Sequence, residues 1–102
     1  RLEDQQSKMK SIMQTEKGVC FLTGKRGYTE EHHIFYGGGR RKLSERYGLK
    51  VYLSPELHRN GPEAVHNCKA TRRKLEAAGQ QAFELKHGTR KEFMDVFGKN
   101  YL

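Results

Sequence analysis

Four of the five histidines of this chain fall between positions 32 and 66. Two are adjacent, in Glu31-His32-His33-Ile34-Phe35-Tyr36-Gly37. The others follow in Leu53-Ser54-Pro55-Glu56-Leu57-His58 and in Ala64-Val65-His66-Asn67. Imidazole is the commonest metal ligand, and it is the one side chain whose ordinary pKa lies near neutrality. Such a cluster could therefore serve a structural metal, a catalytic centre or neither. A closed structural zinc site takes four ligands, usually with some cysteine, and no cysteine stands beside these histidines. Three histidines around a metal with one open position would instead suit catalysis. His87 stands apart, at the end of a long helical pattern.

A second group with chemical potential follows the adjacent pair: Gly37-Gly38-Gly39-Arg40-Arg41-Lys42, with Arg46 close behind. Glycines free the backbone, and guanidinium forks match phosphate oxygens. The stretch reads as a mobile basic loop suited to phosphate contact, or, more plainly, as a solvated surface loop.

Composition agrees with a polyanionic partner. The chain has 102 residues, a formal net charge of +8 and a pI near 9.7. A nucleic acid is the first partner that this implies, and an anionic membrane surface the second. Only 34% of residues are hydrophobic against 31% charged, so a single domain with a thin core is expected over residues 1–102, the kind that a bound metal often helps to hold. Cys20 and Cys68 form neither a disulfide framework nor a zinc-ribbon pattern and read as reduced packing residues. With no secretory signal and no apolar run near the roughly 20 residues that span a bilayer, a cytoplasmic location without membrane attachment is expected.

The elements that must position the histidines can be read in order. Met9, Ile12 and Met13 predict a helix within residues 1–16. Val19-Cys20-Phe21-Leu22 reads as a short strand or buried turn. Ile34-Phe35-Tyr36 and Val51-Tyr52-Leu53 are the expected arms of a long-looped β-hairpin. Ser54-Pro55 starts a short helix, by a hydroxyl cap and a proline at the first helical position, and His58 lies one turn in. Asn60-Gly61-Pro62 interrupts it before His66. Cys68, Thr71, Leu75, Ala78, Ala82 and Leu85 predict an amphipathic helix of about five turns, with Arg72 and Arg73 near its start on other faces. Gly79 weakens it locally and Gly88 caps it. Thr89-Arg90-Lys91-Glu92 is a capping box that opens a last helix, which Gly98 ends. Tyr101-Leu102 should fold back on the core.

A His-His-Ile strand, a second strand and a short helix carrying another histidine, in a basic domain, resemble the HNH endonuclease superfamily, the ββα-metal or His-Me finger nucleases. The compact members encoded by phages and prophages are the most similar. The resemblance covers residues 31–66, about a third of the chain. It implies an α+β fold: a ββα-metal core at 31–66, a helical extension at 1–16 and two C-terminal helices within 67–102. It implies metal-dependent hydrolysis of DNA phosphodiester bonds, with RNA not excluded, in a bacterial or phage-infected cell. His33 would fall on the general base, and His32, His58 and His66 on the ligands of one divalent ion. Arg40, Arg41, Lys42, Arg46, Arg72 and Arg73 would be the DNA-binding residues. Three imidazoles favour zinc as the bound ion, whereas magnesium or manganese would be options for turnover. The motif's middle asparagine has no counterpart here, since its place falls near Leu49 or Lys50. The rival functions are a nucleic-acid-binding module that keeps fold and metal without the chemistry, and a basic protein that docks on an acidic partner.

One geometric condition follows from the pair itself. Neighbours on a regular strand point to opposite faces, so His32 and His33 can share one site only if the strand is irregular there.

Overall fold

The computed structural model describes residues 9–102 as an α+β chain built on a two-stranded antiparallel sheet. Strand β1 (Glu30–His33) pairs with β2 (Lys50–Leu53), in a register that sets Glu30 opposite Leu53 and His33 opposite Lys50. Pairing therefore begins four residues earlier than the predicted arm at 34–36. Ile34 still donates its amide to Leu49 O at 3.0 Å, but Ile34 and Phe35 then leave the sheet and enter the core, where each is 1% exposed.

The expected long loop between the strands holds a helix, α1 (Arg40–Tyr47). Gly39 and Gly48 bracket it in left-handed conformations, at φ 87° and 73°. Arg, Lys, Leu and Glu are all good helix formers, and Leu43 and Tyr47, four residues apart, pack against the core. The buried Ser44 hydroxyl accepts from Phe35 N at 2.9 Å and donates to Phe35 O at 2.8 Å, clamping the helix to the segment that leaves β1.

The helix expected within residues 1–16 is not formed in its described part, residues 9–16; residues 1–8 lie outside the described residues. A different demand wins there. The outer edge of β2 presents backbone groups that need partners. Ser11 Oγ donates to Lys50 O, Gln14 Oε1 accepts from Tyr52 N at 2.8 Å, and Phe21 N donates to Tyr52 O at 2.8 Å. The segment is an irregular, bent stretch along that edge instead of a helix, with Met13 N and Gln14 N donating to Ser11 Oγ. Residues 19–22 form a buried turn, closed by a bridge between Val19 and Arg26.

After β2, Glu56–Asn60 makes a single π-helical turn. Helix α2 (Lys69–Lys86) then crosses the core and α3 (Arg90–Phe97) packs beside it. The buried arc of α2 runs through Leu75, Gly79 and Phe83, flanked by Glu76 and Gln80. It is rotated from the predicted stripe, and Leu85 is 90% exposed. The reason lies in packing: Phe83 joins an aromatic cluster with Phe93, Phe97 and Tyr47, which a leucine at position 85 cannot reach. Fully buried Gln80 donates to Asn100 Oδ1 at 2.8 Å and accepts from Tyr101 N at 2.6 Å, tying the chain end to α2. Thr89 and Glu92 form the capping box, and Gly98 caps α3 at φ 86°. His87, rather than Gly88, is the capping residue of α2. Among the described residues no helix is long and apolar enough to cross a membrane.

Gly79 is where α2 comes closest to the segment leaving β1. A Cβ there would lie 2.9 Å from Ile34 Cγ2 and 3.1 Å from Phe35 Cε2. Gly→Ala inside a helix ordinarily stabilises by about 0.5–1 kcal/mol. Overpacking reverses the sign here, and Gly79→Ala should destabilise by about 1–3 kcal/mol. The expected reading is a lower urea midpoint at unchanged m-value.

Candidate functional site

Strand alternation sorts the residues of β1 onto two faces. Glu30 and His32 face His58: the His32 and His58 ring centroids are 5.3 Å apart, and His58 Nδ1 lies 2.8 Å from Glu30 Oε1. Glu31 and His33 face Glu45 and Lys50. The register runs unbroken through His33 opposite Lys50, so the irregular strand that the adjacent pair required does not occur. Both imidazoles nonetheless line one cleft of about 240 Å³, being the last two residues of β1.

His58 is set by the turn after β2. Its amide donates to Ser54 O at 2.9 Å, and Gly61 N reaches back five residues to Glu56 O at 2.8 Å, the widened geometry of a π turn. The loop then doubles back. Val65 N donates to Leu57 O at 2.7 Å and His66 N to His58 O at 3.3 Å, while Asn67 Nδ2 holds Arg59 O and Gly61 O. A gap of eight residues is thereby closed. The His66 ring lies 4.9 Å from that of His58 and 5.2 Å from that of His32.

One nitrogen from each of His32, His58 and His66 falls within 4.8 Å of the others. His32 is 3% exposed, and its Nε2 is buried without a hydrogen-bond partner among the described residues. An orphaned polar atom of this kind costs free energy unless something accepts its lone pair. Burial, then the neighbouring His58 and His66, push the His32 pKa down to about 3. Burial, then Arg59, hold His66 below the ordinary histidine range. His58 Nδ1–H donates to the Glu30 carboxylate, which leaves the lone pair on Nε2, the usual carboxylate support of a metal-ligating imidazole. Three nitrogen donors, one of them unpartnered, could hold a metal ion.

His33 has a different environment. Its Nε2 lies 2.7 Å from Glu45 Oε1, and Glu45 Oε2 lies 2.9 Å from Lys50 Nζ. Lys50 is buried and also meets Glu31 at 3.3 Å. Burial alone would raise the Glu45 pKa, but hydrogen bonds from His33 and Lys50 outweigh it and hold the carboxyl below its ordinary value. Burial would likewise lower Lys50, and its carboxylate partners outweigh that and raise it. Glu31, His33 and Glu45 could also be grouped around a cation, but the Lys50 ammonium already bridges the two carboxylates.

Of the basic residues expected to meet DNA, Arg41 lines the cleft. Arg40 donates to Phe97 O at 3.3 Å and so joins α1 to the end of α3. Arg72 pairs with Glu76 and lies 4.5 Å over the Tyr36 ring, which itself lines the cleft. Lys42, Arg46 and Arg73 are exposed and do not line it. Arg59, which does, was missed, although it directly follows His58. Glu30 was missed too, although its place two residues before His32 puts it on the same strand face. Glu45 had no signal in the sequence, because its region read as a loop, and Lys50 stood out only as a place where the motif's asparagine is missing.

Comparison with protein-family models, curated proteins and solved structures found no match.

Two outcomes are expected. The unfolded chain takes up a proton on His32 near pH 6.5, whereas the folded chain resists it to about 3. Since the folded pKa is depressed, this contribution to stability is complete above pH 6.5 and is lost as pH falls through that window. In metal-free protein, His32→Asn should therefore flatten the decline of unfolding free energy with acid, measured by urea titration at successive pH values. Separately, an ion bound only by the folded state adds about 2.7 kcal/mol at 100 times its dissociation constant. Chelation of metal-loaded protein should lower the melting temperature by several degrees, and His58→Ala should remove most of that response.

Proposed function

We propose that this chain is a metal-dependent endonuclease of the HNH, or ββα-metal, type, and that it hydrolyses DNA phosphodiester bonds. The observation that carries the reading is the convergence of His32, His58 and His66, with one buried nitrogen unpartnered among the described residues, in the same cleft as His33 and two arginines. The order of the parts supports it as well: a histidine pair closing one strand, an antiparallel second strand, then a helical turn carrying His58.

The residues divide the work. His32, His58 and His66 are the ligand set, and their nitrogen donors favour zinc, with magnesium or manganese to be compared for turnover. When bound, a divalent ion supplies Lewis-acid stabilisation of the charge that develops on the departing oxygen. His33 takes the proton of the attacking water, a step typically worth about 10²–10⁴-fold. Arg41 and Arg59 hold the phosphates that flank the scissile bond. Contacts of this kind position a strand without reading its sequence, so cleavage of low sequence specificity is expected, in the cytoplasm of a bacterial or phage-infected cell.

The test is incubation of pure protein with supercoiled plasmid and individual divalent metals. Nicking that requires added metal, and that His33→Ala reduces by about 10²–10⁴-fold while bound metal stays stoichiometric, is the expected result. Loss of metal from the His33→Ala protein would make His33 a ligand instead. An inert wild-type protein under every metal would remove the enzyme reading.

A further inference from the structure

The His33 imidazole can act as a base only through a nitrogen that carries no proton, and the residues around it decide which nitrogen that is. Nε2 lies 2.7 Å from Glu45 Oε1. An ionised carboxylate only accepts hydrogen bonds, so in neutral His33 the proton sits on Nε2 and the lone pair on Nδ1. Glu45 is not free to turn away. Its second oxygen is held by Lys50 Nζ at 2.9 Å, and Lys50 faces His33 across the sheet. The Ser44 clamp on Phe35 fixes the helix that carries Glu45 against the residues that follow His33. The imidazole, the carboxylate and the ammonium thus form a chain whose ends are set by strand register and whose middle is set by α1.

We propose that Glu45, anchored by Lys50, is a positioning residue that holds His33 in the Nε2–H tautomer and leaves Nδ1 as the atom that accepts the proton. This deepens the nuclease reading and rests on His33 as its base. Lys50 stands near the place where the resemblance would put an asparagine, and the chemistry here is of another kind: a buried cation orients a carboxylate, which orients the base.

The arrangement makes an unusual demand on an amide in place of Glu45. Lys50 is a donor only, so in Glu45→Gln it captures the amide oxygen and turns the NH₂ group toward His33. An NH₂ group donates, so Nε2 must then accept and the proton must move to Nδ1. Removing the ammonium as well frees the amide to turn round and present its oxygen to Nε2. Glu45→Gln should therefore invert the tautomer, Lys50→Met alone should leave it as it is, and Glu45→Gln with Lys50→Met should restore it. A carboxylate that merely filled space would not follow this order.

Nitrogen-15 NMR of the zinc-loaded full chain, at about pH 8 where an ordinary histidine is neutral, reads the tautomer directly. His33 is assigned by the signals that His33→Asn removes. An Nε2–H pattern in the wild type and Lys50→Met, inverted in Glu45→Gln and regained in the double variant, supports the proposal. An Nδ1–H wild type, or a Glu45→Gln spectrum like that of the wild type, overturns it. Plasmid nicking by the same proteins judges the nuclease reading separately. There kcat should fall by about 10²–10⁴-fold in Glu45→Gln, as expected of a misplaced general base, with KM unchanged and partial recovery in the double variant. The expected tautomers in a protein that cuts nothing would sink the nuclease reading and leave the positioning of His33 standing. A fall in kcat without the tautomer change would do the reverse.

Discussion

Pairing of Glu30–His33 with Lys50–Leu53 decides which chemistry each histidine meets. Side chains of a strand alternate between faces, so one residue of slip would exchange the surroundings of His32 and His33 completely. In the register observed, His32 meets two further imidazoles on one side, and His33 meets a carboxylate held by an ammonium on the other. Two adjacent residues of one type thereby acquire opposite characters. One has a nitrogen without a partner among the described residues, the other a nitrogen with a firm one.

Two strands of four residues cannot hold such a register unaided, since an isolated hairpin is marginal in water. The rest of the chain supplies the support. Residues 11–21 cover the outer edge of β2, in part through the side chains of Ser11 and Gln14. Phe35, the second residue beyond β1, is gripped by Ser44 through its peptide and by Phe93, Phe97 and Tyr101 through its ring. Gly79 lets α2 approach the same segment closely. The buried His32 nitrogen works against this support, because desolvating an unpaired polar atom costs on the order of 1–3 kcal/mol. A site that stores such a cost is relieved when a ligand uses the lone pair, so an ion held by these histidines would couple its binding to folding.

Electrostatics give the two sides different roles. The chain carries a net charge of +8, yet acidic residues sit where imidazoles need orientation: Glu30 on His58 and Glu45 on His33. Arg41 and Arg59 add positive charge to the lining of the same cleft.

What the sequence by itself determined was local. The capping box at Thr89 and the glycine stop at position 98 follow from backbone hydrogen bonding within a few residues. So does the turn begun at Ser54, and all are legible because their partners are near in sequence. The candidate ligands were legible for another reason: histidine is rare enough that four in one stretch stand out, and tertiary structure brings three of them together. Only the tertiary structure decided the rest. Residues 9–16 have helical spacing but form an irregular, bent segment, because the open edge of β2 offered partners that a lone helix could not outbid. The basic stretch after Gly39 became a helix because Leu43 and Tyr47 found a core to face. Leu85 stayed exposed and Phe83 went inside because the aromatic cluster lies on that side of α2. Glu45 and Lys50 became neighbours of His33 through the ends of α1 and β2, twelve and seventeen positions away along the chain. Those contacts arise from how elements pack, and composition and spacing along one chain carry no record of packing.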